Sequence, residues 1–381
     1  MKLIYIVNLG ISAGWAHEIQ IMKMCEAFAE NEIDVELAVP RRRLRFKDDP
    51  FKYYNIETKF KITKLPCLDL CLGSDRSFYF WLRLISFLLS AKIYLFFQKF
   101  DILYTRETLA GLFFSAKGGS APGGKNFFLE IHSLPLVPKK WQIRVWQKAK
   151  GLIVLTGLIK KELMDFGISE DKIIIASDAV DIEKFDLKIA KSEARKKINL
   201  LQNRKIVMYS GSLYSLDWKG VGVLLDEIKY LPDDYLVVLV GGEKEELKKI
   251  EKSYSSEKLL LIGRRPHEEI PYYLKAADVL ILPNKKGDAT SEKYTSPLKL
   301  FEYMASGVPI VASDLPSIRE ILNENNAVLI ESNNPADLAG GIKKILQNPE
   351  LAEKISRQAI KDVRNFTWDK RAKEIIDFIS K

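Results

Sequence analysis

The stretch TSPLKLFEYMASGVPIVASD (Thr295–Asp314) joins a helix to a strand. Ser296 is a good helix N-cap, and Pro297 suits the first helical position because it has no N–H group to leave unpaired. Gly307 ends the helix and Pro309 begins the strand. Apolar side chains cover most of the helix: Leu298, Leu300, Phe301, Tyr303, Met304 and Ala305. The pattern predicts a largely buried helix.

Glu302 lies on this helix, and a buried carboxylate needs partners. A ribose diol can donate two hydrogen bonds to one carboxylate, and the N–H groups at a helix start bind phosphate. A nucleoside diphosphate carries both groups in that order. The alternative is that Glu302 pairs with Lys299 or caps another loop, and the helix alone leaves both open.

The rest of the chain alternates strands with helices. In the first half we expect a helix at about Ala16–Ala29 and strands at Leu3–Val7, Val35–Val39, Asp101–Thr105, Asn126–Ile131, Gly151–Thr156 and Lys172–Ala176. In the second half we expect strands at Lys205–Tyr209, Tyr235–Val240, Leu259–Ile262, Val279–Leu282 and Pro309–Ala312. Helices are expected there at Gly220–Ile228, Leu351–Val363 and Asp369–Ile379.

This alternation predicts an α/β protein of two Rossmann-like domains that face each other across a cleft. The first domain is expected at 1–185 and the second at 186–367. The family resemblance described below implies that the first domain binds the acceptor and the second a nucleotide-sugar. The last helix, at about 368–381, is expected to pack back on the first domain. Loops rich in Gly, Pro and Asn follow the strands, and ligands of such sheets bind at these carboxyl ends.

The amino-acid composition and net charge indicate which classes of binding partner to expect. The 381 residues carry a net charge of +9, which suggests an anionic partner such as a nucleotide or a phospholipid surface. Nucleic acid is disfavoured because basic and aromatic residues do not interleave in one stripe. The densest basic cluster is Arg41–Arg43 with Arg45 and Lys47, which suits either a solvated loop or a membrane- or phosphate-facing patch.

Localisation is expected to be cytoplasmic. The N-terminal MKLIYIVNLG does not resemble a secretory signal, and the three cysteines suit reduced thiols better than a metal or redox site. The apolar segment Phe78–Phe97 approaches the length of a membrane span, but Arg83 and Lys92 interrupt it. We expect a buried or half-buried helix there, with peripheral contact at the inner face of the membrane as the alternative.

The stretch from Thr295 to Asp314 resembles the signature of retaining family 4 (group 1) glycosyltransferases, which adopt the GT-B fold. Two glutamates flank the donor in that family, and the second matches Glu302. The first falls on Tyr294, so the resemblance implies that backbone groups of Ser296, Pro297 and Leu298, together with Lys299, take its place. Asp314 fits the usual ending of the motif.

Other segments extend the resemblance. Tyr209–Leu213 and Asp217–Gly220 look like the loop that binds the diphosphate, with Lys219 as the cation that stabilises the leaving nucleotide. Alternatively, Lys219 is a surface lysine before a helix. The family's arginine in this loop falls on Ser212. Asn284 ends a further matching strand. Arg264 and Arg265 follow Gly263 in the loop that commonly meets the nucleobase in this family. The alternative is that both arginines are solvated.

In the first half, Phe128–Ser133 resembles the strand end that places a histidine against the donor sugar, here His132. The alternative is that His132 has only a structural role, as a lone histidine usually does. Gly14 matches the glycine that lets the backbone approach the sugar and phosphate, although the spaced pair Gly10 and Gly14 is weak evidence taken alone.

The resemblance implies transfer of a sugar from a UDP-, GDP- or ADP-sugar to a hydroxyl of a sugar or lipid-linked acceptor, as in polysaccharide or glycolipid synthesis. It also implies retained anomeric configuration, no metal ion and no cofactor. Two alternatives stay open. One is an inverting transferase or an epimerase on the same fold, and the other is a catalytically silent protein that binds nucleotide-sugars. The substitutions at Tyr294 and Ser212 motivate the second.

Overall fold

The structure, a computed structural model, describes residues 1–9, 14–42, 49–69, 76–114, 126–213 and 218–381. It contains two compact units. The first comprises Met1–Ser177 together with Trp368–Lys381, and the second comprises Asp178–Thr367. The predicted residues Gly10, Arg43, Arg45, Lys47, Cys71 and Asp217 lie outside the described ranges.

The first unit is built on a seven-stranded parallel sheet in the order β3-β2-β1-β4-β5-β6-β7. The strands are β1 (Lys2–Ile6), β2 (Asp34–Pro40), β3 (Lys61–Leu65), β4 (Ile102–Thr105), β5 (Phe127–Ile131), β6 (Gly151–Val154) and β7 (Ile173–Ile175). The central strands are buried on both faces, which explains their continuous apolar sequences. The helices are α1 (Ala16–Glu30), α2 (Pro50–Tyr53), α3 (Arg76–Phe96), α4 (Ala110–Phe114), α5 (Lys140–Lys148) and α6 (Gly157–Asp165).

The second unit is built on a six-stranded parallel sheet in the order β10-β9-β8-β11-β12-β13. The strands are β8 (Lys205–Ser210), β9 (Tyr235–Val240), β10 (Leu259–Ile262), β11 (Val279–Leu282), β12 (Ile310–Ser313) and β13 (Val328–Ile330). The helices are α7 (Ile182–Phe185), α8 (Lys191–Lys197), α9 (Val221–Glu227), α10 (Lys244–Ser253), α11 (Ile270–Ala276), α12 (Leu298–Ser306), α13 (Pro316–Arg319), α14 (Pro335–Leu346) and α15 (Pro349–Val363). Both sheets are doubly wound, as predicted.

The last helix, α16 (Trp368–Ile379), belongs to the first unit and packs on α1. Its residues Ala372, Ile375 and Ile379 are buried in that unit's core. The division between the units lies after Ser177, ahead of the expected junction at Phe185. The reason is that Phe185 is packed in the core of the second unit.

Two strands were not predicted, namely β3 and β13, and both are edge strands. β3 reads Lys-Ile-Thr-Lys-Leu and is mostly not buried, so its sequence carries too few apolar residues to stand out. Edge strands commonly carry such charged residues, which discourage pairing with another chain.

The strand order locates the ligand edge of each sheet. It reverses between β1 and β4 in the first sheet and between β8 and β11 in the second. Ligands of doubly wound sheets bind beyond the carboxyl ends of the strands at this reversal. The loops after β8 and β11 are therefore the first place to look for a site in the second unit.

Candidate functional site

Helix α12 follows the loop after β11, and all its residues are buried except Lys299, which is half-buried. It begins at Leu298 and ends where Gly307 adopts φ 70°. Pro297 immediately precedes the helix instead of occupying its first position, and Ser296 is not the N-cap. The Ser296 hydroxyl instead accepts a hydrogen bond of 3.0 Å from the backbone N–H of Asp178. Ser296 therefore ties this loop to the first residue of the second unit.

Glu302 is almost fully buried, as expected, and its partner is a histidine. Its Oε1 lies 2.8 Å from Nε2 of His267. His267 comes from the short 3-10 helix His267–Glu269 that follows β10. The sequence indicated that this loop reaches the site but singled out its arginines, and the histidine further along it was missed.

Those arginines are solvated. Arg264 and Arg265 are both exposed, and Nη1 of Arg264 lies 3.3 Å from Oε1 of Glu243. Their contact with a nucleobase stays a prediction. His267, which faces Glu302, is the better candidate from this loop.

Lys299 is half-buried at the start of α12, with its Nζ 3.8 Å from the ring centroid of Tyr209. Burial, reinforced by the charge of Lys219, holds the pKa of Lys299 well below its usual range. Gly211, at φ 146°, makes room for this ammonium group, because a Cβ there would lie 2.3 Å from Nζ. Glycine is favoured after β8 mainly by this positive φ, because Nζ is the flexible end of the lysine side chain and can move.

Lys219 lies in the loop after β8, with its Nζ 5.2 Å from the Trp218 ring centroid. Burial lowers its pKa too. In the described part of the chain, no ion pair joins the ammonium group of Lys219 or Lys299 to a carboxylate. Two partly dehydrated cations that repel each other are costly unless an anion lies between them. Lys219 is half-buried, and its predicted role beside a diphosphate stays a prediction.

The turn that carries Lys219 is clamped against the loop after β11. Gly220 has φ 68°, and a Cβ there would lie 1.6 Å from the carbonyl oxygen of Pro283. The backbone N–H of Lys285 donates to the carbonyl of Trp218 at 3.0 Å. Asn284, between them, is buried and its carbonyl accepts from Ser332 Oγ at 2.8 Å. These contacts fix Lys219 at the reversal point of the sheet.

The two departures from the family signature, Tyr294 and Ser212, both lie in the second unit. Tyr294 is buried in the short π-helix Thr290–Tyr294. The carbonyl of Ser212 accepts a hydrogen bond of 3.3 Å from the Tyr209 hydroxyl. Asp314, at the end of the signature, forms an ion pair with Arg319 at the surface.

In the first unit, His132 follows β5, and its Nε2 lies 2.7 Å from Oε1 of Glu130. Burial, followed by the charge of Arg106, lowers the pKa of His132 to about 4. The ring is therefore neutral at pH 7. Glu130 is buried and also accepts from Arg371 Nη2 at 2.7 Å. Neither Glu130 nor Arg371 was singled out from the sequence.

Gly14 precedes α1 with φ 63°, a conformation that favours glycine. Its N–H donates to the hydroxyl of Tyr54 at 3.3 Å, and that hydroxyl donates to Glu18 at 2.5 Å. The backbone N–H of Gly14 thus already has a partner within the first unit.

The fold and the second-unit site define an α/β protein whose second sheet has Lys219, Lys299 and the start of α12 beside Glu302 at its ligand edge. The model of a family described as glycosyl transferases group 1 matches residues 190–362, which include this edge. This part of the chain is thus similar to group 1 glycosyl transferases.

Two relatives illustrate the likeness. A phosphatidyl-myo-inositol mannosyltransferase of Mycobacterium leprae is 27% identical over 249 residues, which is 64% of this chain and 63% of the relative. An uncharacterised glycosyltransferase of Methanocaldococcus jannaschii is 26% identical over 238 residues, covering 60% and 58%. The matched region thus spans about three fifths of the curated relatives' own length.

Solved structures show the same fold along the whole chain. Sucrose-phosphate synthase from Thermosynechococcus elongatus gives a TM-score of 0.78 at 18% identity, covering 100% of this chain and 98% of that one. Anabaena HepE in complex with UDP gives 0.75 at 14% identity, covering 100% of both chains. The predicted fold class, two Rossmann-like α/β domains of the GT-B type, is confirmed.

Proposed function

We propose that this chain is a glycosyltransferase that moves a sugar from a nucleoside-diphosphate sugar to an acceptor hydroxyl. The observation that carries the proposal is the pair of half-buried lysines, Lys219 and Lys299, whose charges act on each other at the reversal point of the second sheet. Their ammonium groups form no ion pair with a carboxylate among the described residues, and a diphosphate would supply that partner. The buried Glu302–His267 pair stands one turn further along α12 and suits a ribose with its base.

The comparisons support the same donor class. The structure of HepE was solved with UDP and, separately, with UDP-glucose. For the present chain a UDP-, GDP- or ADP-sugar fits the two cations and the carboxylate equally well. The acceptor is proposed to be a sugar or a lipid-linked sugar, in line with the phosphatidyl-myo-inositol for which the mycobacterial relative is named.

In the proposed reaction, the bond between the anomeric carbon and the diphosphate oxygen breaks as the acceptor oxygen bonds to that carbon. The departing diphosphate takes the acceptor's proton. Lys219 and Lys299 stabilise the negative charge that grows on the diphosphate, an electrostatic contribution that is large in a site shielded from water. Retention of configuration, independence of metal ions and cofactors, and a cytoplasmic location are parts of this proposal.

The test is a transfer assay with each donor, followed by NMR of the anomeric proton in the product. We expect nucleotide release that depends on an acceptor, a product of the donor's own anomeric configuration and a rate unchanged by a chelator. An inverted product would indicate the inverting alternative. Tight nucleotide binding with no turnover for any acceptor would identify a silent binding protein.

A further inference from the structure

Helix α3 has two apolar faces, and only one is covered. Its inner face packs in the first unit through Leu84, Phe87, Leu88, Ala91 and Leu95, all buried. Its outer face exposes large apolar side chains at helical spacing: Phe78, Trp81, Ile85, Leu89, Ile93 and Phe96. Ile93 is 66% exposed and Phe96 is 73% exposed. A surface helix normally turns polar residues outward, so this exposed face needs a partner.

The charges around this outer face indicate which partner it takes. No acidic residue lies between Asp75 and Asp101, whereas Lys92 and Lys99 are exposed there. An apolar face with aromatic residues and a lysine rim matches the boundary of an anionic membrane, where aromatic rings sit at headgroup depth. A second copy of the chain offers no acidic residue along this helix to complement the lysines, whereas an anionic lipid surface does complement them.

The inner face determines how the helix meets the lipid. By length and composition, Phe78–Phe96 is apolar enough to cross a membrane. Crossing would expose Phe87 and Leu88 to lipid and strip them from the neighbouring β3 and α4. A helix that lies in the membrane plane keeps those contacts and buries only the outer face.

We propose that the outer face of α3 docks the first unit on an anionic lipid surface, with the helix parallel to the membrane. The sequence favoured a buried or half-buried helix, and among the described residues the outer face of α3 is exposed. This docking does not depend on the proposed transfer reaction.

The test is flotation with vesicles of phosphatidylcholine containing phosphatidylglycerol, without donor or acceptor. We expect the wild type to bind, and the variant F78S/W81S/F96S to lose at least about tenfold in partitioning, because three large side chains no longer enter the lipid. Lys92→Glu should weaken binding to these vesicles but not to pure phosphatidylcholine. Leu201→Ser, which alters an exposed leucine of the second unit, is the matched control and should bind normally.

Equal binding by the triple variant and the wild type would overturn the proposal. So would a concentration-dependent dimer in sedimentation that the triple variant abolishes, since that assigns the face to a second copy. Resistance of the membrane-bound protein to carbonate extraction would indicate a spanning helix and also overturn it. The melting temperature of the triple variant verifies that its inner packing is intact.

A second, independent observation concerns the buried carboxylate of Glu130. Its Oε1 accepts from Gln20 Nε2 at 2.8 Å and from Arg371 Nη2 at 2.7 Å. Its Oε2 accepts from the Tyr104 hydroxyl at 2.6 Å. These groups come from α1, α16 and β4, so three elements hold one carboxylate in place below the ring of His132 at the end of the strand.

A carboxylate can only accept hydrogen bonds, so Nε2 of His132 must carry the proton in its 2.7 Å contact with Glu130. We infer that Glu130, clamped by Arg371 from the C-terminal helix, is a positioning residue that fixes His132 as the Nε2–H tautomer. Nδ1 is then a hydrogen-bond acceptor. On the proposed function, Nδ1 accepts a hydrogen bond from a hydroxyl of the donor sugar and donates no proton, and this part of the inference rests on that function.

The tautomer can be read directly from long-range ¹⁵N–¹H NMR spectra, which are tractable because the chain has three histidines. The signal that disappears in the His132→Gln variant is that of His132, and the signals of His17 and His267 are internal controls. We expect the wild-type ring of His132 to be protonated on Nε2. Glu130→Gln should move the proton toward Nδ1, because the amide can donate to Nε2.

A wild-type His132 protonated on Nδ1 would refute the inference even if the Glu130 variant fails to fold. An unchanged tautomer in a folded Glu130→Gln protein would also refute it. For the ligand role, Glu130→Gln should raise KM for the nucleotide-sugar while leaving the Kd of the nucleoside diphosphate unchanged. A change in neither constant would remove the ligand role, whatever the donor reaction.

Discussion

Replacement of Lys299 by methionine separates a functional lysine from a structural one. Methionine keeps the apolar stem of the side chain and removes the buried ammonium group over Tyr209. A hydrogen bond between a charged group and its partner contributes about 1.5–3 kcal/mol. The Kd of the bound nucleoside diphosphate should therefore rise roughly 10- to 150-fold.

The same substitution should stabilise the protein without ligand. Burial lowers the pKa of Lys299 in the fold, so the unfolded chain binds more protons in the pH window between the lowered pKa and the ordinary one. Stability therefore rises with pH across that window, and at lower pH the charged ammonium opposes folding. Removing it should raise the free energy of unfolding by about 1–3 kcal/mol at pH 7.

Calorimetric titration and urea unfolding provide the two measurements. Lys229→Met is the matched control, because Lys229 is an exposed lysine of the same unit whose Nζ lies 5.0 Å from the Tyr230 ring centroid. The control should change neither quantity by more than about 0.5 kcal/mol. A Lys299→Met protein that is less stable than the wild type and binds the nucleotide equally well would refute the reasoning.

Three further predictions concern the second unit. Glu302→Ala should weaken nucleoside diphosphate binding about tenfold or more. Calorimetric titration should also show that the variant binds the ribose and 2′-deoxyribose forms of the nucleotide equally well. A variant that still prefers the ribose form would contradict the diol contact. Glu227 is fully buried, neither carboxylate oxygen has a hydrogen-bond partner within the described residues, and burial raises its pKa. The folded protein therefore binds more protons than the unfolded chain, so its stability falls as pH rises above the ordinary glutamate range. Glu227→Met should stabilise the protein by about 1–3 kcal/mol at pH 7 and by less at pH 4. Equal gains at both pH values in urea unfolding would argue against this. Gly220→Ala should lower the melting temperature by several degrees, because its Cβ would meet the carbonyl of Pro283 and its φ is left-handed; an unchanged melting temperature would show that the turn is not clamped.

Much of the fold could be predicted because local signals agree with it. The apolar stripe, the terminal Gly307 and the strand that follows identify α12, and the loops after the strands identify the ligand edge. The partners within the site could not be predicted in this way. Glu302 meets His267 only because the sheet order places the loop after β10 beside α12. The pairing of Glu130 with Arg371 joins residues 241 positions apart, which no local pattern encodes.

The outer face of α3 shows a different limit of sequence reasoning. An apolar run of this length is compatible with a core helix, a spanning helix and an interfacial helix. Exposure of Ile93 and Phe96 beside buried Phe87 and Leu88 separates these cases, and it becomes known only when the neighbours of the helix are known.

The proposed function depends above all on Lys219 and Lys299 binding the diphosphate of a nucleotide-sugar in the second unit. A thermal-shift screen of UDP-, GDP- and ADP-sugars on the wild type and on the double variant Lys219→Met/Lys299→Met tests this binding. We predict that one nucleotide class raises the melting temperature of the wild type and leaves that of the double variant unchanged. No shift with any donor, or the same shift in both proteins, would contradict it.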